Sequence, residues 1–227
     1  MTVTLITGAN KGIGFETAAQ LTRLGHVVYI GARDAARGAR AAAAIGARSV
    51  QLDVTDDASV AAALTAIDTA EGRLDVLVHN AGILDPTLEG PTALRVFDTN
   101  AVGIVRVTEA ALPLLRKAAR PHVVTVSSSM GSFWAVTNPQ RPEFALHSAL
   151  YAASKSAATM LTLQYAKVHP GIRFNALEPG YADTDLTAAL GGGRPAAESA
   201  RVVVRLATSD DEGLTGTLQD ENGALQW

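Results

Sequence analysis

The chain of 227 residues contains no cysteine and is poor in aromatic side chains, which make up 5% of it. Without cysteine it can form no disulfide framework, no thiolate zinc site and no cysteine nucleophile. Alanine, with 42 copies, supplies much of the 48% hydrophobic share and indicates a helix-forming composition. A chain of this length is expected to bury a substantial core in one domain, or in two small ones at most.

A basic surface and a long apolar run are also missing. The formal net charge is -3, and lysine and arginine are scattered along the chain, so we predict no binding to nucleic acid or to a membrane. No apolar run approaches the roughly 18 to 20 residues of a membrane span, and Met1 leads directly into a strand-like segment, so no signal peptide is expected. The five histidines form no recognisable ligand cluster, which predicts no metal. A cytoplasmic location is compatible with these features and is our expectation.

Short β-branched runs alternate with longer, alanine-rich segments of helical pattern. Several runs are continuously apolar, which predicts strands covered on both faces, and the segments between them are long enough for crossover helices. We therefore predict a single doubly wound α/β domain over residues 1–227 with a seven-stranded parallel sheet. The predicted strands are 2–7, 27–32, 49–53, 76–79, 122–127, 173–178 and 215–219. The predicted helices are 13–24, 34–45, 56–70, 92–119, 148–169 and 195–208, with Asp34 and the Asp56-Asp57 pair as acidic caps.

A glycine-rich segment follows the first predicted strand and precedes a helical pattern. Glycines at these positions let the backbone turn tightly and approach a pyrophosphate, whose charge is then met by amides at the helix start. An ordinary strand-to-helix turn is the alternative, because such a pattern alone is weak. The segment is Thr7-Gly8-Ala9-Asn10-Lys11-Gly12-Ile13-Gly14.

A tyrosine and a lysine lie four residues apart in the predicted helix over 148–169. Residues at this spacing share one face of a helix, so Tyr151 and Lys155 can both face one bound molecule. An ammonium near a phenol favours the phenolate and lowers the pKa of the tyrosine, which makes it a usable proton donor and acceptor. The alternative is a surface tyrosine beside a solvated lysine.

Together these motifs resemble the short-chain dehydrogenase/reductase family, and the Asn-Lys pair in the glycine segment is most similar to its carbonyl-reductase branch. The resemblance spans nearly the whole chain and implies a Rossmann fold that binds a nicotinamide dinucleotide. It implies catalytic roles for Tyr151 and Lys155, and for Ser128 at the exit of the fifth strand. Asn100 would hold a water that connects Lys155 to solvent. Ser129 is the alternative to Ser128, because three adjacent serines permit a slip of one residue.

Further cofactor contacts are implied by the resemblance. The segment Leu52-Asp53-Val54 is similar to the family's adenine edge, and Asn80-Ala81-Gly82 to its fourth-strand motif. His79 stands before that motif where asparagine is frequent, and we interpret it as structural. The cofactor-binding residues predicted in these segments and around the reaction centre are Gly8, Asn10, Lys11, Gly12, Ile13, Gly14, Asp53, Val54, Asn80, Ala81, Gly82, Tyr151, Lys155, Pro179, Gly180, Ala182 and Thr184.

The end of the second predicted strand favours NADP over NAD. An NAD site is expected to place an acid there for the ribose hydroxyl, whereas a 2'-phosphate requires cations. Ala32 stands where NAD-preferring members of the family usually carry aspartate. Arg33, Arg37 and Lys11 can converge on one phosphate, and we assign Asp34 to helix capping. The alternative is that the two arginines are solvated charges at a helix start.

The resemblance implies an NADPH-dependent reductase of ketones or aldehydes, reversible as alcohol oxidation, with Tyr151 as general acid/base. Two alternatives are an NADP-binding redox sensor or scaffold without turnover, and an NAD-dependent alcohol dehydrogenase. The insert between Ser128 and Tyr151 carries large apolar side chains, which either form a wall of a substrate pocket or seal the loop against the domain. A monomer and a homodimer are both compatible with the sequence.

Overall fold

The computed structural model describes residues 1–188 and 191–227. Strands and helices alternate along these residues, as predicted. The strands are β1 Val3–Thr7, β2 Val27–Ala32, β3 Arg48–Gln51, β4 Val76–His79, β5 His122–Val126, β6 Arg173–Leu177, β7 Ala182–Asp183, β8 Arg194–Pro195, β9 Thr217–Asp220 and β10 Gly223–Ala224. The helices are α1 Gly12–Arg23, α2 Ala35–Ile45, α3 Asp57–Glu71, α4 Gly90–Phe97, α5 Gly103–Leu115, α6 Phe133–Thr137, α7 Ala149–Val168 and α8 Ala196–Ala207.

The main sheet is mostly parallel, with the strand order β3-β2-β1-β4-β5-β6-β9-β10. The strands β1 to β6 and β9 run parallel, which confirms the predicted parallel α/β architecture. The predicted strand number is corrected at one edge, where β10 pairs antiparallel with β9 and makes an eighth strand. A strand of two residues is too short to show a periodic sequence pattern, so the sequence did not indicate it.

Helices cover both faces of this sheet, which explains why its central strands are apolar throughout. The helices α3 and α5 bury Ile67 and Leu115 on one face. On the other face, α1 and α8 bury Leu21 and Leu206. Every residue of β1, β4 and β5 is buried, as expected for strands that are covered on both sides. Among the described residues, none of the helices combines the length and the apolar character needed to cross a lipid bilayer.

Two helix starts confirm the predicted acidic caps. Asp34 accepts a hydrogen bond from the backbone N–H of Arg37, and Asp56 accepts from Ala58 and Ser59. These bonds satisfy amide groups that the first turn of a helix leaves without partners. The predicted ends of most helices and of the parallel strands agree with the structure to within one or two residues.

The predicted single helix over 92–119 is wrong. It is divided into α4 and α5 by a π-helical turn, Asp98–Val102, and α5 ends at Leu115. The π-turn contains Asn100, whose side chain binds the backbone of Ile83 in a distant loop. Pro113 lacks a backbone N–H and so weakens the last turn of α5. Helical periodicity alone shows neither effect.

The strand order reverses between β1 and β4. The chain runs from β1 outwards to β2 and β3, and then returns to build β4, β5 and β6 on the other side of β1. A sheet of this kind leaves a crevice outside the carboxyl ends of the strands at the reversal, and ligands bind in that crevice. The segments that leave β1, β4, β5 and β6 therefore surround the candidate site.

The exit of β5 packs closely against α7 at Gly131. A Cβ atom on Gly131 would lie 2.6 Å from the carbonyl carbon of Lys155 and 2.8 Å from the backbone nitrogen of Ser156. Because helix backbone cannot give way as a flexible side chain can, we expect Gly131→Ala to lower the free energy of unfolding by about 1–3 kcal/mol. Gly171→Ala is the matched control, since a Cβ there meets nothing within 4 Å. Urea unfolding compares the two variants, and equal stabilities would contradict the prediction.

Candidate active site

The glycine segment forms a tight turn between β1 and α1. Gly8 and Gly12 have φ angles of 63° and 58°, a region that favours glycine. The amide of Asn80 donates to the carbonyls of Thr7 and Gly8, at 2.9 and 3.1 Å, and holds the turn against the exit of β4. Lys11 is the N-cap of α1, and its side chain accepts no hydrogen bond from the first-turn amides. These amides therefore suit a phosphate group.

Two cavities lie near the predicted cofactor-binding cations, and the second of them borders this turn. One, of about 450 Å³, is lined by Arg33, Gln51 and Asp53 among others. The other, of about 460 Å³, is lined by Asn10, Lys11, Phe15, Arg37, Arg40, Ala41, Ala44 and Asp185. Lys11 and Arg37 thus line one cavity and Arg33 the other, and the convergence of all three cations on one phosphate stays a prediction. Val54 lines neither of them, and its backbone carbonyl accepts a hydrogen bond from Arg106.

Sequence reasoning missed two charged residues of the second cavity. Arg40 lies one helical turn after Arg37 on α2, and this spacing could have indicated it. Asp185 pairs with Lys11 at 2.6 Å and links the segment after β7 to the glycine turn. Both side chains of this ion pair are largely exposed, so the pair contributes little stability. An anion that binds Lys11 must compete with this carboxylate.

The first of the three adjacent serines attaches β5 to α7. The Ser127 hydroxyl donates to the carbonyl of Lys155 at 3.0 Å and lies 2.6 Å from the Thr159 hydroxyl. A second buried pair, Thr162 to Thr125 at 2.8 Å, lies further along the same strand and helix. These contacts hold α7 in one register against the strand.

The other two serines face different partners. The Ser128 hydroxyl accepts from the backbone N–H of Met130 at 3.2 Å and lies close enough to the phenol of Tyr151 to lower its pKa. Ser129 donates its backbone N–H to the carboxylate of Glu178, and its hydroxyl lies beside the carboxylate of Glu143. The structure therefore brings Ser128, rather than Ser129, to Tyr151.

Tyr151 and Lys155 are adjacent on α7, as their spacing predicted. The ammonium of Lys155 lies 5.6 Å from the centroid of the Tyr151 ring and donates to the carbonyl of Val126 at 2.7 Å. Burial lowers the pKa of Lys155 to about 8, against the opposing effect of the Glu178 carboxylate. The expected lowering of the Tyr151 pKa is wrong in this structure, because burial and the Glu178 carboxylate raise it despite the opposing hydrogen bond from Ser128.

Asn100 ties the π-turn to the loop that leaves β4. Its amide nitrogen donates to the carbonyl of Ile83 at 2.8 Å and to the Ser154 hydroxyl at 2.9 Å, and its amide oxygen accepts from the N–H of Ile83 at 2.8 Å. A Cβ on Gly82 would lie 3.5 Å from both the Asn100 oxygen and the Lys155 ammonium. Asn100 and Lys155 therefore border the same small space beside Gly82.

The segment after β6 closes the other side of the site. The methyl group of Thr184 approaches Gly12, since a Cβ atom on Gly12 would lie 3.4 Å from that methyl carbon. Gly180 has a φ of 78° and donates its N–H to Glu178, and the carbonyl of Pro179 accepts from Arg194. The carbonyl of Ala182 accepts a hydrogen bond from the Thr187 hydroxyl. Glu178 was predicted only as the end of a strand, although a carboxylate at the carboxyl end of a central strand is a signal for a site residue.

The insert between Ser128 and Tyr151 is sealed against the domain at Trp134, while its role as a wall of a substrate pocket stays a prediction. Trp134 packs against buried Ala176, Leu218 and Leu225 and seals the insert against the sheet. Phe133 and Phe144, in contrast, are 72% and 50% exposed. These two aromatic side chains are thus free to contact a bound molecule.

His79, which we interpreted as structural, is buried at the end of β4. Its Nε2 lies 2.8 Å from the Thr108 hydroxyl of α5, and burial lowers its pKa to about 3. A neutral, hydrogen-bonded histidine in this position joins the sheet to α5, in agreement with that interpretation.

Comparisons with known proteins find relatives over nearly the whole chain. The family model described as short chain dehydrogenase matches residues 2–194. Short-chain dehydrogenase/reductase ATR10 of Stachybotrys chlorohalonatus is 35% identical over 247 residues, which cover 97% of this chain and 88% of that protein. (-)-Isopiperitenone reductase of Mentha piperita is 31% identical over 304 residues, which cover 97% and 96%. The structure of salutaridine reductase from Papaver somniferum matches with a TM-score of 0.84 and 27% identity, covering 96% of this chain and 99% of that one.

The burial of Lys155 predicts that its removal stabilises the protein at neutral pH. Its pKa is about 8 in the folded protein and 10.5 in the reference state, so below about pH 8 folding buries an ammonium. That cost disappears as the pH rises from about 8 to about 10, because the unfolded chain then releases the proton as well. We expect Lys155→Met to raise the free energy of unfolding by about 1–3 kcal/mol at pH 7. This gap between the variant and the unsubstituted protein should narrow towards pH 10.

Urea unfolding at several pH values measures this gap. Lys167→Met, at an exposed position of the same helix, is the matched control and should show no such dependence. A gap between Lys155→Met and the unsubstituted protein that is constant with pH would contradict the prediction.

Proposed function

Because the chain belongs to the short-chain dehydrogenase family, we propose that it is an NADPH-dependent reductase of ketones or aldehydes. Membership in the family makes it an oxidoreductase that acts on alcohol or carbonyl groups with a nicotinamide cofactor. The observation that carries the proposal is the meeting of Ser128, Tyr151 and Lys155 beside the crevice that the glycine turn borders.

The cradle fits a dinucleotide. Gly8 allows close backbone packing, since a Cβ there would lie 2.9 Å from the Cα of Ala81. The amides at the start of α1 and the cations Lys11, Arg37 and Arg40 suit phosphate groups. The segment from Pro179 to Thr184 would border the nicotinamide, as the resemblance implies.

In the proposed reaction, a nicotinamide cofactor held in this cradle would supply the hydride that the carbonyl carbon receives. Tyr151 transfers its phenolic proton to the carbonyl oxygen, and Ser128 donates a hydrogen bond to the same oxygen and orients it. The raised pKa of Tyr151 keeps the phenol protonated at neutral pH, which is the form that can donate a proton to the carbonyl oxygen. The resemblance assigns Lys155 to the nicotinamide ribose and Asn100 to a water that returns protons from solvent.

Three features support NADP over NAD. The residue at the end of β2 is Ala32, which offers no carboxylate for a ribose hydroxyl. The neighbouring Asp34 is engaged as the cap of α2. Lys11, Arg37 and Arg40 line one cavity, where a 2'-phosphate would be paired with cations.

The substrate that we propose is a carbonyl group on an apolar body of small or medium size. Phe133 and Phe144 in the insert and Tyr181 after β6 are exposed, and they offer apolar surface to such a body. One relative is named for isopiperitenone, so a panel of ketones and aldehydes should contain this compound beside other cyclic and open-chain ones. The single NADP-binding domain over 1–227, the cytoplasmic location and the monomeric or homodimeric state stay predictions.

Replacing the proposed acid tests the reaction. We expect Tyr151→Phe to lower turnover by about 10²–10⁴-fold, because it removes the proton donor, and to leave NADPH affinity within about threefold. Oxidation of NADPH across the carbonyl panel measures the first effect, and equilibrium binding measures the second. Tyr165→Phe is the matched control, since Tyr165 lies on the same helix as Tyr151 but its hydroxyl donates to Glu109 of α5.

Substantial turnover by Tyr151→Phe would refute the proposed acid. NADPH binding without oxidation of the cofactor across the whole panel would favour the redox sensor or scaffold.

Removing two cations tests the cofactor preference. We expect Arg37→Ala with Arg40→Ala to weaken NADPH binding by about 10–100-fold, because charged hydrogen bonds to the 2'-phosphate are lost, and to change NADH binding little. Arg116→Ala, at an exposed position after α5, is the control for a general loss of positive charge. An unchanged ratio of NADPH to NADH affinity would contradict the assignment and favour an NAD-dependent alcohol dehydrogenase.

A further inference from the structure

The carboxylate of Glu178 joins two of the segments that surround the site. Glu178 follows β6 directly and is half-buried. One of its oxygens accepts from the N–H of Gly180 at 2.7 Å, and the other accepts from the N–H of Ser129. The first donor belongs to the segment after β6 and the second to the exit of β5. A single side chain therefore holds both segments.

Ser129 is held from a second side by the insert. Its hydroxyl lies beside Glu143, which is itself buried and forms two hydrogen bonds with Arg141, at 2.8 and 3.0 Å. With its N–H on Glu178 and its hydroxyl beside Glu143, Ser129 is fixed in both backbone and side chain. The adjacent Ser128 is fixed with it, and its hydroxyl stays turned towards Tyr151.

Glu178 also places a negative charge next to the reaction centre. The ionisable groups that sense this charge are Tyr151 and Lys155 on α7 and Arg141 in the insert. The carboxylate raises the pKa of each of the three. Because both of its oxygens accept from backbone donors, the charge is held at one position, and the ammonium of Lys155 donates to the carbonyl of Val126.

We propose that Glu178 is a positioning residue of the reaction centre, whose carboxylate holds the Ser128 segment to the segment that borders the nicotinamide and fixes a negative charge beside Tyr151 and Lys155. This inference rests on the proposed function, because it takes Ser128 and Tyr151 as the groups that touch the substrate.

The two parts of this role can be separated by two substitutions. Glu178→Gln keeps the size of the side chain but removes the charge, and its NH₂ group cannot accept from a backbone N–H, so one of the two bonds is lost. Glu178→Asp keeps the charge but is one methylene shorter, so its carboxylate does not span both segments. Glu143→Gln is the matched control, because it removes a charge beside the same Ser129 without being among the groups that shift Lys155.

Titration of Lys155 tests the charge without any turnover. The chain has four lysines, Lys11, Lys117, Lys155 and Lys167, so full-length protein with ¹³C-labelled lysine gives few resonances, and the one missing from Lys155→Met belongs to Lys155. We expect Lys155 to titrate near pH 8 and to shift down by about half a unit or more in Glu178→Gln. Glu178→Asp and Glu143→Gln should stay near the wild-type value. An unshifted titration in Glu178→Gln would overturn the inference.

Steady-state kinetics test the positioning. In an active enzyme we expect Glu178→Gln to lower kcat about tenfold or more with little change in the KM for NADPH, because the reacting groups and not the phosphate cradle are displaced. The alkaline loss of reductase activity should begin at lower pH, since removing the carboxylate lowers the pKa of Lys155, which titrates first, as well as that of Tyr151. Glu178→Asp should lose kcat but keep the wild-type pH profile. Unchanged kcat and pH profile in Glu178→Gln would overturn the inference.

These results are distinguishable from failure of the proposed function. If the wild-type protein turns over no carbonyl compound, the reductase proposal fails, while the titration of Lys155 still tests whether the Glu178 carboxylate acts on Lys155. Urea unfolding shows whether each variant is folded. If Glu178→Gln does not fold, the kcat of Glu178→Asp tests the positioning role. A wild-type kcat in that variant would overturn the inference.

Discussion

The docking of α7 on β5 is the contact on which the rest of the site depends. Buried hydroxyl groups form this contact. The Ser127 hydroxyl donates to the Lys155 carbonyl and lies beside the Thr159 hydroxyl, and the Thr162 hydroxyl donates to that of Thr125. Buried hydroxyls without partners are costly, so these pairs are satisfied in only one register of helix against strand. That register sets Tyr151 beside Ser128. The reaction centre therefore takes its geometry from polar contacts in the core, and the loops around it adjust to a fixed pair of elements.

The sequence predicts what is encoded locally. Continuous apolar runs predicted the parallel strands, and Asp34 and Asp56 predicted two helix starts. The glycine segment predicted the turn after β1. The separation of three adjacent serines into three roles is different, because each role depends on a partner far along the chain. The resemblance selected Ser128, and the structure turns that hydroxyl to Tyr151 while Ser129 meets Glu178 and Glu143. No local pattern encodes such partners.

Charge at the site was the least predictable property. The sequence places Lys155 one helical turn from Tyr151, which suggests a phenol of lowered pKa. Burial and the carboxylate of Glu178 reverse that sign, and burial brings Lys155 itself to a pKa of about 8. The net charge of -3 is equally uninformative, because Lys11, Arg37 and Arg40 still gather at one cavity. Electrostatic behaviour follows from the three-dimensional surroundings of each group, which composition does not contain.

The partition of the three serines has a consequence for how the chain can vary in evolution. From Val126 to Ser129, successive residues contact the Lys155 ammonium, the α7 backbone, the Tyr151 phenol and the Glu178 carboxylate, and Gly131 packs against the α7 backbone again. Inserting or deleting one residue here would exchange every partner at once, so this stretch is fixed in length even where its side chains can change. The insert that follows is attached by Trp134, which packs against the sheet, and by Glu143, whose carboxylate lies beside Ser129, while residues 136–142 between these two points are partly or fully exposed. Changes in length, and with them new substrate walls, can accumulate there without disturbing the chemistry.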